Sequence, residues 1–126
     1  MTDGGKNLAF ARRLRFALAG LGHALSSERS IKTQAVFFVL VVVALLVLRP
    51  APLWWALVIL ASTAVLAAEL FNTAIEHLAD HLHPELHPAI RVVKDCAAAG
   101  VLLTVAGAIA VAVALVVELW LNASPN

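Results

Sequence analysis

The segment from Cys96 to Val117 contains no charged side chain and is long enough to cross the hydrocarbon core of a bilayer. Two further apolar runs, Ala35–Leu48 and Leu53–Ala68, precede it. Because 62% of the 126 residues are apolar and only 13% are charged, a water-soluble fold of this length would expose too much apolar surface. The sequence therefore predicts an all-α membrane protein. Its three transmembrane helices are expected at about 31–48, 53–80 and 92–120.

A fourth helix is expected before the first span. Apolar residues recur there at helical spacing, whereas most of the arginines fall elsewhere around the helix. The apolar positions are Phe10, Leu14, Ala17, Leu18, Leu21 and Leu25. This pattern is typical of an amphipathic helix lying on the membrane surface, here over about 8–27. The alternative is that this helix is a basic anchor without any chemistry. Under both interpretations, the helix and the three spans form one domain spanning 1–126.

Lysine and arginine residues predict the orientation of the chain. In the three-span arrangement, only Arg49 lies on the side opposite to the others. The other basic positions used here are Lys6, Arg12, Arg13, Arg15, Arg29, Lys32, Arg91 and Lys94. By the positive-inside rule, the N-terminus and the polar loop at 81–90 are cytoplasmic and the C-terminus is outside. The net charge of +1 argues against nucleic acid as a partner.

Polar residues continue the second span as a stripe on one helical face. At about 100° per residue, one side of the helix collects Glu69, Asn72, Thr73, Glu76 and Asp80. A charged side chain at the centre of a membrane helix costs about 2.5–3.5 kcal/mol on insertion scales. A carboxylate face that begins near hydrocarbon therefore indicates a functional site, although Glu69 alone could simply mark where the helix leaves the membrane.

The cytoplasmic edge collects several carboxylates and a lysine: Glu28, Glu69, Asn72, Glu76, Asp80, Glu85, Lys94 and Asp95. Magnesium in nucleotide sites is bound by one or two carboxylates together with phosphate oxygens. A separate carboxylate can act as the base toward a hydroxyl group. Because neither a P-loop nor a G-x-G-x-x-G motif is present, a phosphate site must be built from side chains on different helices.

The same residues resemble a known family. The matching motifs are Glu28, Glu69-x-x-Asn72-Thr-Ala-Ile-Glu76-x-x-x-Asp80, Pro84-Glu85-x-His87 and Lys94-Asp95-x-Ala-Ala-Ala. From about Arg13 to Val117 the chain resembles the prokaryotic diacylglycerol kinases. The resemblance implies a bacterial cytoplasmic-membrane enzyme with a surface helix and three spans. It also implies a homotrimer with shared active sites that transfers the γ-phosphate of MgATP to a lipid hydroxyl.

The resemblance also implies roles for individual residues. Glu69 corresponds to the general base on the lipid hydroxyl, and Glu28 and Glu76 correspond to the ligands of the metal that accompanies ATP. Asn72 and Asp80 are supporting positions, and Ala98 joins Glu69 in contacting the lipid. The nucleotide-contacting positions are Phe16, Glu28, Glu76, Glu85, His87, Lys94 and Asp95.

Two departures from the family pattern bear on ligands. Phe16 stands where many members have tyrosine, and Gln34 stands where the members acting on diacylglycerol often have an acid. The resemblance implies diacylglycerol as the preferred substrate. Undecaprenol, a long polyprenyl alcohol that is the substrate of other members, is the alternative.

Other interpretations of these residues remain open. Asp80 could form a purely structural ion pair with Lys94 or Arg91, and Ala97–Gly100 could serve only close helix packing. The histidines at 77, 81, 83 and 87 are spaced as two i,i+4 pairs, although no HExxH motif accompanies them. A non-enzymatic membrane carrier or metal-handling protein is therefore a further alternative. A carrier would be expected to show an internal repeat or broken helices, and neither is evident in the sequence.

Overall fold

The computed structural model describes residues 3–85 and 87–123, with side chains described from Ala9 onward. Four helices follow one another: α1 (Asp3–Ser27), α2 (Arg29–Leu48), α3 (Pro52–Leu82) and α4 (Pro88–Ala123). By length and composition, α2, α3 and α4 could each cross a membrane. The predicted all-α class, with an N-terminal helix and three apolar helices, is confirmed. The side chain of Lys6 and the ends of the predicted 1–126 domain lie outside the described part.

A single residue, Glu28, separates α1 from α2. Its backbone is extended, with φ −95° and ψ 124°, so it interrupts the helical path. Its N–H donates to the carbonyl of Ala24 at 2.9 Å, and its carbonyl accepts from the N–H of Lys32 at 3.2 Å. The hydroxyls of Ser26 and Ser27 donate back to the carbonyl of His23. The backbone position of Glu28 is therefore fixed from both sides.

The connection between α2 and α3 is also short. Arg49 ends α2 in the left-handed conformation, with φ 47°, and its N–H donates to the Leu45 carbonyl at 2.9 Å. A left-handed residue just after the last helical turn is a common way to end a helix. Pro52 then begins α3, where the missing N–H of proline leaves no helical hydrogen bond unmade.

Both long helices extend beyond the thickness of a bilayer. With 31 residues, α3 is about 46 Å long, and α4 with 36 residues is about 54 Å long, against a hydrocarbon core of about 30 Å. The predicted loop at 81–90 is wrong in its bounds, because α3 continues to Leu82 and α4 already begins at Pro88. The two prolines suggested a longer break, but proline is well accommodated in the first turn of a helix.

The helices pack as a thin bundle that leaves most of its surface exposed. The main contact is between α3 and α4, while α2 packs on α3 and α1 contacts both α2 and α3 lightly. Leu45, Val58 and Leu115 form a buried cluster at the end remote from Glu28. Apolar side chains elsewhere point outward, such as Val47 and Leu103, which are 74% and 73% exposed. These faces suit contact with lipid or with another copy of the chain.

Candidate functional site

Glu69 is the one buried charged or polar residue in the described part of the chain, with 8% of its surface exposed. It lies in α3, about 26 Å along the helix axis from Pro52 at the helix start. Within 3–85 and 87–123, no hydrogen bond or ion pair to its carboxylate is found. The Glu69 oxygens are not among the fully enclosed unpaired atoms, so the carboxylate stays open to a ligand or a neighbouring chain.

One helical turn further on, Asn72 supports Glu76. The Nδ2 of Asn72 donates to the Oε1 of Glu76 at 3.0 Å, an i,i+4 contact within α3. The Oδ1 of Asn72 is buried and accepts no hydrogen bond from any described residue. Because an unsatisfied buried acceptor costs free energy, this oxygen favours a donor brought by a ligand or a neighbouring chain. The contact joins Asn72 to Glu76, and the supporting role of Asn72 stays a prediction.

A short ion pair connects the end of α3 to the beginning of α4. The Nζ of Lys94 lies 2.7 Å from the Oδ1 of Asp80, and the two side chains are 34% and 64% exposed. The sequence left Lys94 and Arg91 as alternative partners for Asp80. The structure selects Lys94, while Arg91 instead lies 3.8 Å from the Asp95 carboxylate one turn along α4.

The turn between α1 and α2 is joined to α3 by Glu28 and His77. The Nε2 of His77 lies 3.1 Å from the Oε1 of Glu28, and their side chains are 58% and 28% exposed. This contact places Glu28 next to the residue that follows Glu76 in α3. Sequence reasoning missed it, because no periodicity relates residues on different helices.

Three predicted nucleotide-contacting residues, Glu85, His87 and Phe16, take no part in the contacts described above. Glu85 is exposed in the segment between α3 and α4. His87 accepts the N–H of Ala89 at 3.2 Å through Nδ1, and its ring centroid lies 6.4 Å from that of His83. Phe16 is 62% exposed on α1, beneath the guanidinium of Arg15 at 5.6 Å. Their predicted contacts with nucleotide stay predictions.

Two clefts flank the polar face of α3. One of about 310 Å³ lies against α4 and is lined by Asn72, Phe71, Cys96, Ala97 and Gly100 among others. The other, of about 350 Å³, lies against α1 and includes Thr73, His77 and His23. Ala98 is exposed on α4 and does not line either cleft. Its predicted contact with lipid would have to be made from the outer face of the helix.

Metal binding was predicted for Glu28 and Glu76. In the part of the chain that the structure describes, no three residues among His, Cys, Asp and Glu converge on one point that could hold a metal ion. The histidines at 77, 81, 83 and 87 therefore form no such group there. Glu28 and Glu76 each have one oxygen engaged by a nitrogen donor, a donor set that fits magnesium only if phosphate oxygens supply the remaining ligands.

Known proteins match the part of the chain that contains these site residues. A sequence model described as "Prokaryotic diacylglycerol kinase" matches residues 15–117, which include every carboxylate discussed above. A protein named "Diacylglycerol kinase" from Synechocystis sp. is 33% identical over 98 residues, which is 77% of this chain and 56% of that protein. The chain thus spans little more than half the length of that relative. The three apolar helices and the matched family fit a multi-pass bacterial membrane protein. With the family match running from α1 almost to the end of α4, the chain belongs to the prokaryotic diacylglycerol kinase family.

Proposed function

We propose that the chain catalyses the ATP-dependent phosphorylation of a membrane lipid hydroxyl, with diacylglycerol as the preferred acceptor and phosphatidic acid as the product. The observation that carries this proposal is Glu69, a buried residue whose carboxylate has no partner among the described residues. It lies where the apolar part of α3 gives way to the polar stripe. A lipid hydroxyl at the membrane edge is within the depth range of such a base.

In the proposed reaction, the oxygen of the lipid hydroxyl forms a bond to the γ-phosphorus of ATP. The bond between that phosphorus and the bridging oxygen breaks, and ADP leaves with this oxygen. Glu69 accepts the proton of the hydroxyl and so makes its oxygen a better nucleophile. Positioning and electrostatic stabilisation supply most of the catalysis in phosphoryl transfer, which suits a site with only one base.

Magnesium, when bound together with ATP, would neutralise negative charge on the phosphates. Glu28 and Glu76 are the residues that would hold it. The hydrogen bond from Asn72 engages one oxygen of Glu76 and leaves the other oxygen available for a ligand. The buried Oδ1 of Asn72 lies one helical turn before Glu76. One or two carboxylates with phosphate oxygens are the usual environment of magnesium in nucleotide sites.

The beginning of α4 is proposed to contact the nucleotide. Lys94 is a half-exposed cation next to the polar face of α3, and anionic phosphates would compete with Asp80 for its ammonium. Asp95, Glu85 and His87 lie near it in sequence and are proposed as further nucleotide contacts. Phe16 would approach the same ligand from α1.

The oligomeric state and orientation are part of the same proposal. We propose a homotrimer in the bacterial inner membrane, with the N-terminus and the site on the cytoplasmic side, as the distribution of Lys and Arg predicts. The exposed apolar faces of α2, α3 and α4 support association. A shared site would also cover Asp80 and His77, which are mostly exposed in the single chain.

Undecaprenol is the second candidate substrate. Gln34 lines an apolar cleft of about 430 Å³ between α2, α3 and α4, together with Phe37, Val65 and Ala112. A neutral amide replaces the acid that the diacylglycerol-acting members often have at this position. Such a cleft could hold a prenyl chain as readily as an acyl chain, and the substrate comparison decides between them.

The test is phosphate transfer by the purified protein in mixed micelles. ATP labelled at the γ-phosphate is supplied with diacylglycerol, with undecaprenol or with neither lipid, and the products are separated by lipid class. We expect label in phosphatidic acid and less in undecaprenyl phosphate. The Glu69→Gln variant controls for contaminating kinases. Absence of label in every lipid would contradict the proposal and favour the non-enzymatic alternative.

A further inference from the structure

Two side chains of α3, Asn72 and His77, each contact one carboxylate through a single nitrogen. One oxygen of Glu76 accepts a hydrogen bond from the side-chain nitrogen of Asn72, at 3.0 Å. One oxygen of Glu28 lies 3.1 Å from the Nε2 of His77. In both pairs the bonded atom is Oε1, so the second oxygen of each carboxylate is left for another ligand. The two donors, Asn72 and His77, belong to adjacent turns of α3.

The direction of the second hydrogen bond follows from the chemistry of its groups. An ionised carboxylate can only accept, so the proton must lie on the Nε2 of His77. His77 therefore acts as a donor, as the amide of Asn72 does. A role of His77 as a metal ligand through the same nitrogen is incompatible with this contact, because a ligating nitrogen carries no proton.

The orientation of the Glu28 side chain depends on such a donor. Its backbone is fixed by hydrogen bonds to Ala24 and Lys32, but it lies between two helices and has no helical neighbour that orients its side chain. Its side chain is 28% exposed. Of the described residues, His77 is the one that makes a side-chain hydrogen bond with it. Without His77, the Glu28 carboxylate would sample several rotamers in water.

We propose that His77 is a positioning residue that orients the Glu28 carboxylate toward the metal–nucleotide complex. This inference rests on the proposed function, in which Glu28 and Glu76 hold magnesium. Hydrogen-bonded partners of ligating carboxylates fix the direction of the free lone pairs, and their loss typically weakens metal affinity by about 10–100-fold. His77 thus performs for Glu28 what Asn72 performs for Glu76, from the same helix.

The experiment measures metal binding without turnover. Manganese replaces magnesium, and free Mn²⁺ is followed by electron paramagnetic resonance in the presence of a non-hydrolysable ATP analogue and no lipid. The variants are His77→Ala, His77→Gln and His77→Asn. The amide nitrogen of glutamine lies at the position of Nε2, whereas that of asparagine lies at the position of Nδ1. His81→Ala is the matched control, because His81 is an exposed histidine one turn further along α3.

We expect His77→Ala and His77→Asn to weaken Mn²⁺ binding by about 10–100-fold, and His77→Gln to restore most of it. At saturating Mg²⁺ the kcat of all three variants should return close to that of the unaltered protein. Thermal stability should change little, because an exposed contact of this kind contributes little to folding. A role limited to attaching the α1–α2 turn to α3 would lower the stability and leave Mn²⁺ binding unchanged.

Unchanged Mn²⁺ affinity in His77→Ala would overturn the inference, and so would equal weakening in the glutamine and asparagine variants. Failure of the proposed function has a different signature. In that case the unaltered protein phosphorylates no lipid, whatever the variants do. An unaltered protein that is active but binds no Mn²⁺ with the nucleotide analogue would overturn the inference and keep the kinase proposal.

Discussion

The ammonium of Lys94 lies 2.7 Å from the Asp80 carboxylate, which connects the beginning of α4 to the end of α3. The contact is half-exposed, so its contribution to folding is small. Its consequence for ligand binding is larger, because the same ammonium is the proposed contact for the phosphates of ATP. If the proposed function holds, Asp80 and ATP compete for one cation.

Lys94→Ala should raise the KM for ATP by about 10–100-fold and lower kcat/KM, because a lost charge-assisted contact costs about 1.5–3 kcal/mol. The variant also leaves Asp80 as an uncompensated negative charge next to the phosphates. The double variant Lys94→Ala/Asp80→Asn should therefore bind ATP better than Lys94→Ala alone. Steady-state kinetics on the single and double variants give the coupling between the two residues.

The control for this experiment is Arg91→Ala, which removes a largely exposed cation on the same helix. Equal KM values for the Lys94 single and double variants would refute the competition.

Glu69→Gln should lower turnover by about 10²–10⁴-fold, the range for loss of a general base. ATP affinity should change little, because Glu69 lies on the lipid side of the proposed nucleotide contacts. Thermal stability should be equal or higher, since a neutral amide is less costly than a carboxylate in a buried position near hydrocarbon. Turnover, nucleotide binding and thermal unfolding are measured on the same preparation. Glu118→Gln, near the opposite end of α4, controls for the change of side chain. A Glu69→Gln protein with near-normal turnover would reduce Glu69 to a residue that marks the membrane boundary.

Glu28→Gln and Glu76→Gln should each raise the Mg²⁺ concentration needed for half-maximal turnover, because each loses an anionic oxygen ligand. An increase of about tenfold or more is expected, with kcat partly recovered at high Mg²⁺. The measurement is a Mg²⁺ titration at fixed ATP. Superimposable titrations for both variants and the unaltered protein would remove the two residues from the metal site.

Asn72→Leu should separate stability from activity. The substitution removes the buried Oδ1 that accepts no hydrogen bond from the described residues, and this loss should offset the loss of the bond to Glu76. The Tm should therefore stay the same or rise, whereas the Mg²⁺ requirement should increase, because Glu76 is no longer oriented. A large drop in Tm would show that the Asn72 side chain is needed for folding.

Mixing inactive variants tests whether sites are shared. In the structure, Glu28 contacts His77 of its own α3, which is the residue after Glu76, so we expect Glu28 and Glu76 to act from one chain. Glu69 of a neighbouring chain would then complete the site. Mixed oligomers of Glu28→Gln and Glu69→Gln chains should regain a fraction of the activity. If verified mixed oligomers stay inactive, each chain carries a complete site.

The helices could be predicted from the sequence because apolar runs and prolines are local signals. The predicted end of the first helix at about residue 27 agrees with the end of α1 at Ser27. The segment after Leu82 was harder, because Pro88 begins a helix instead of a loop. This difference reflects backbone hydrogen bonds that composition does not encode.

The candidate site was less accessible to sequence reasoning. The acidic stripe followed from helical periodicity, and the Asp80–Lys94 pair was one of two alternatives that charge alone allowed. The Glu28–His77 contact joins residues 49 positions apart on different helices. Such a contact depends on how α1 and α2 meet α3, which no single-sequence pattern specifies.

The uninterrupted course of α3 and α4 across the membrane boundary has a mechanical consequence. Neither helix has a joint at which it could adjust to a thicker or thinner bilayer, so each would respond by tilting as a whole. Tilting moves Glu69 relative to the lipid headgroups, while the distance along α3 from Glu69 to Glu76 stays at about 10 Å. The acyl-chain length of the surrounding membrane would then set how often a substrate hydroxyl comes level with the carboxylate.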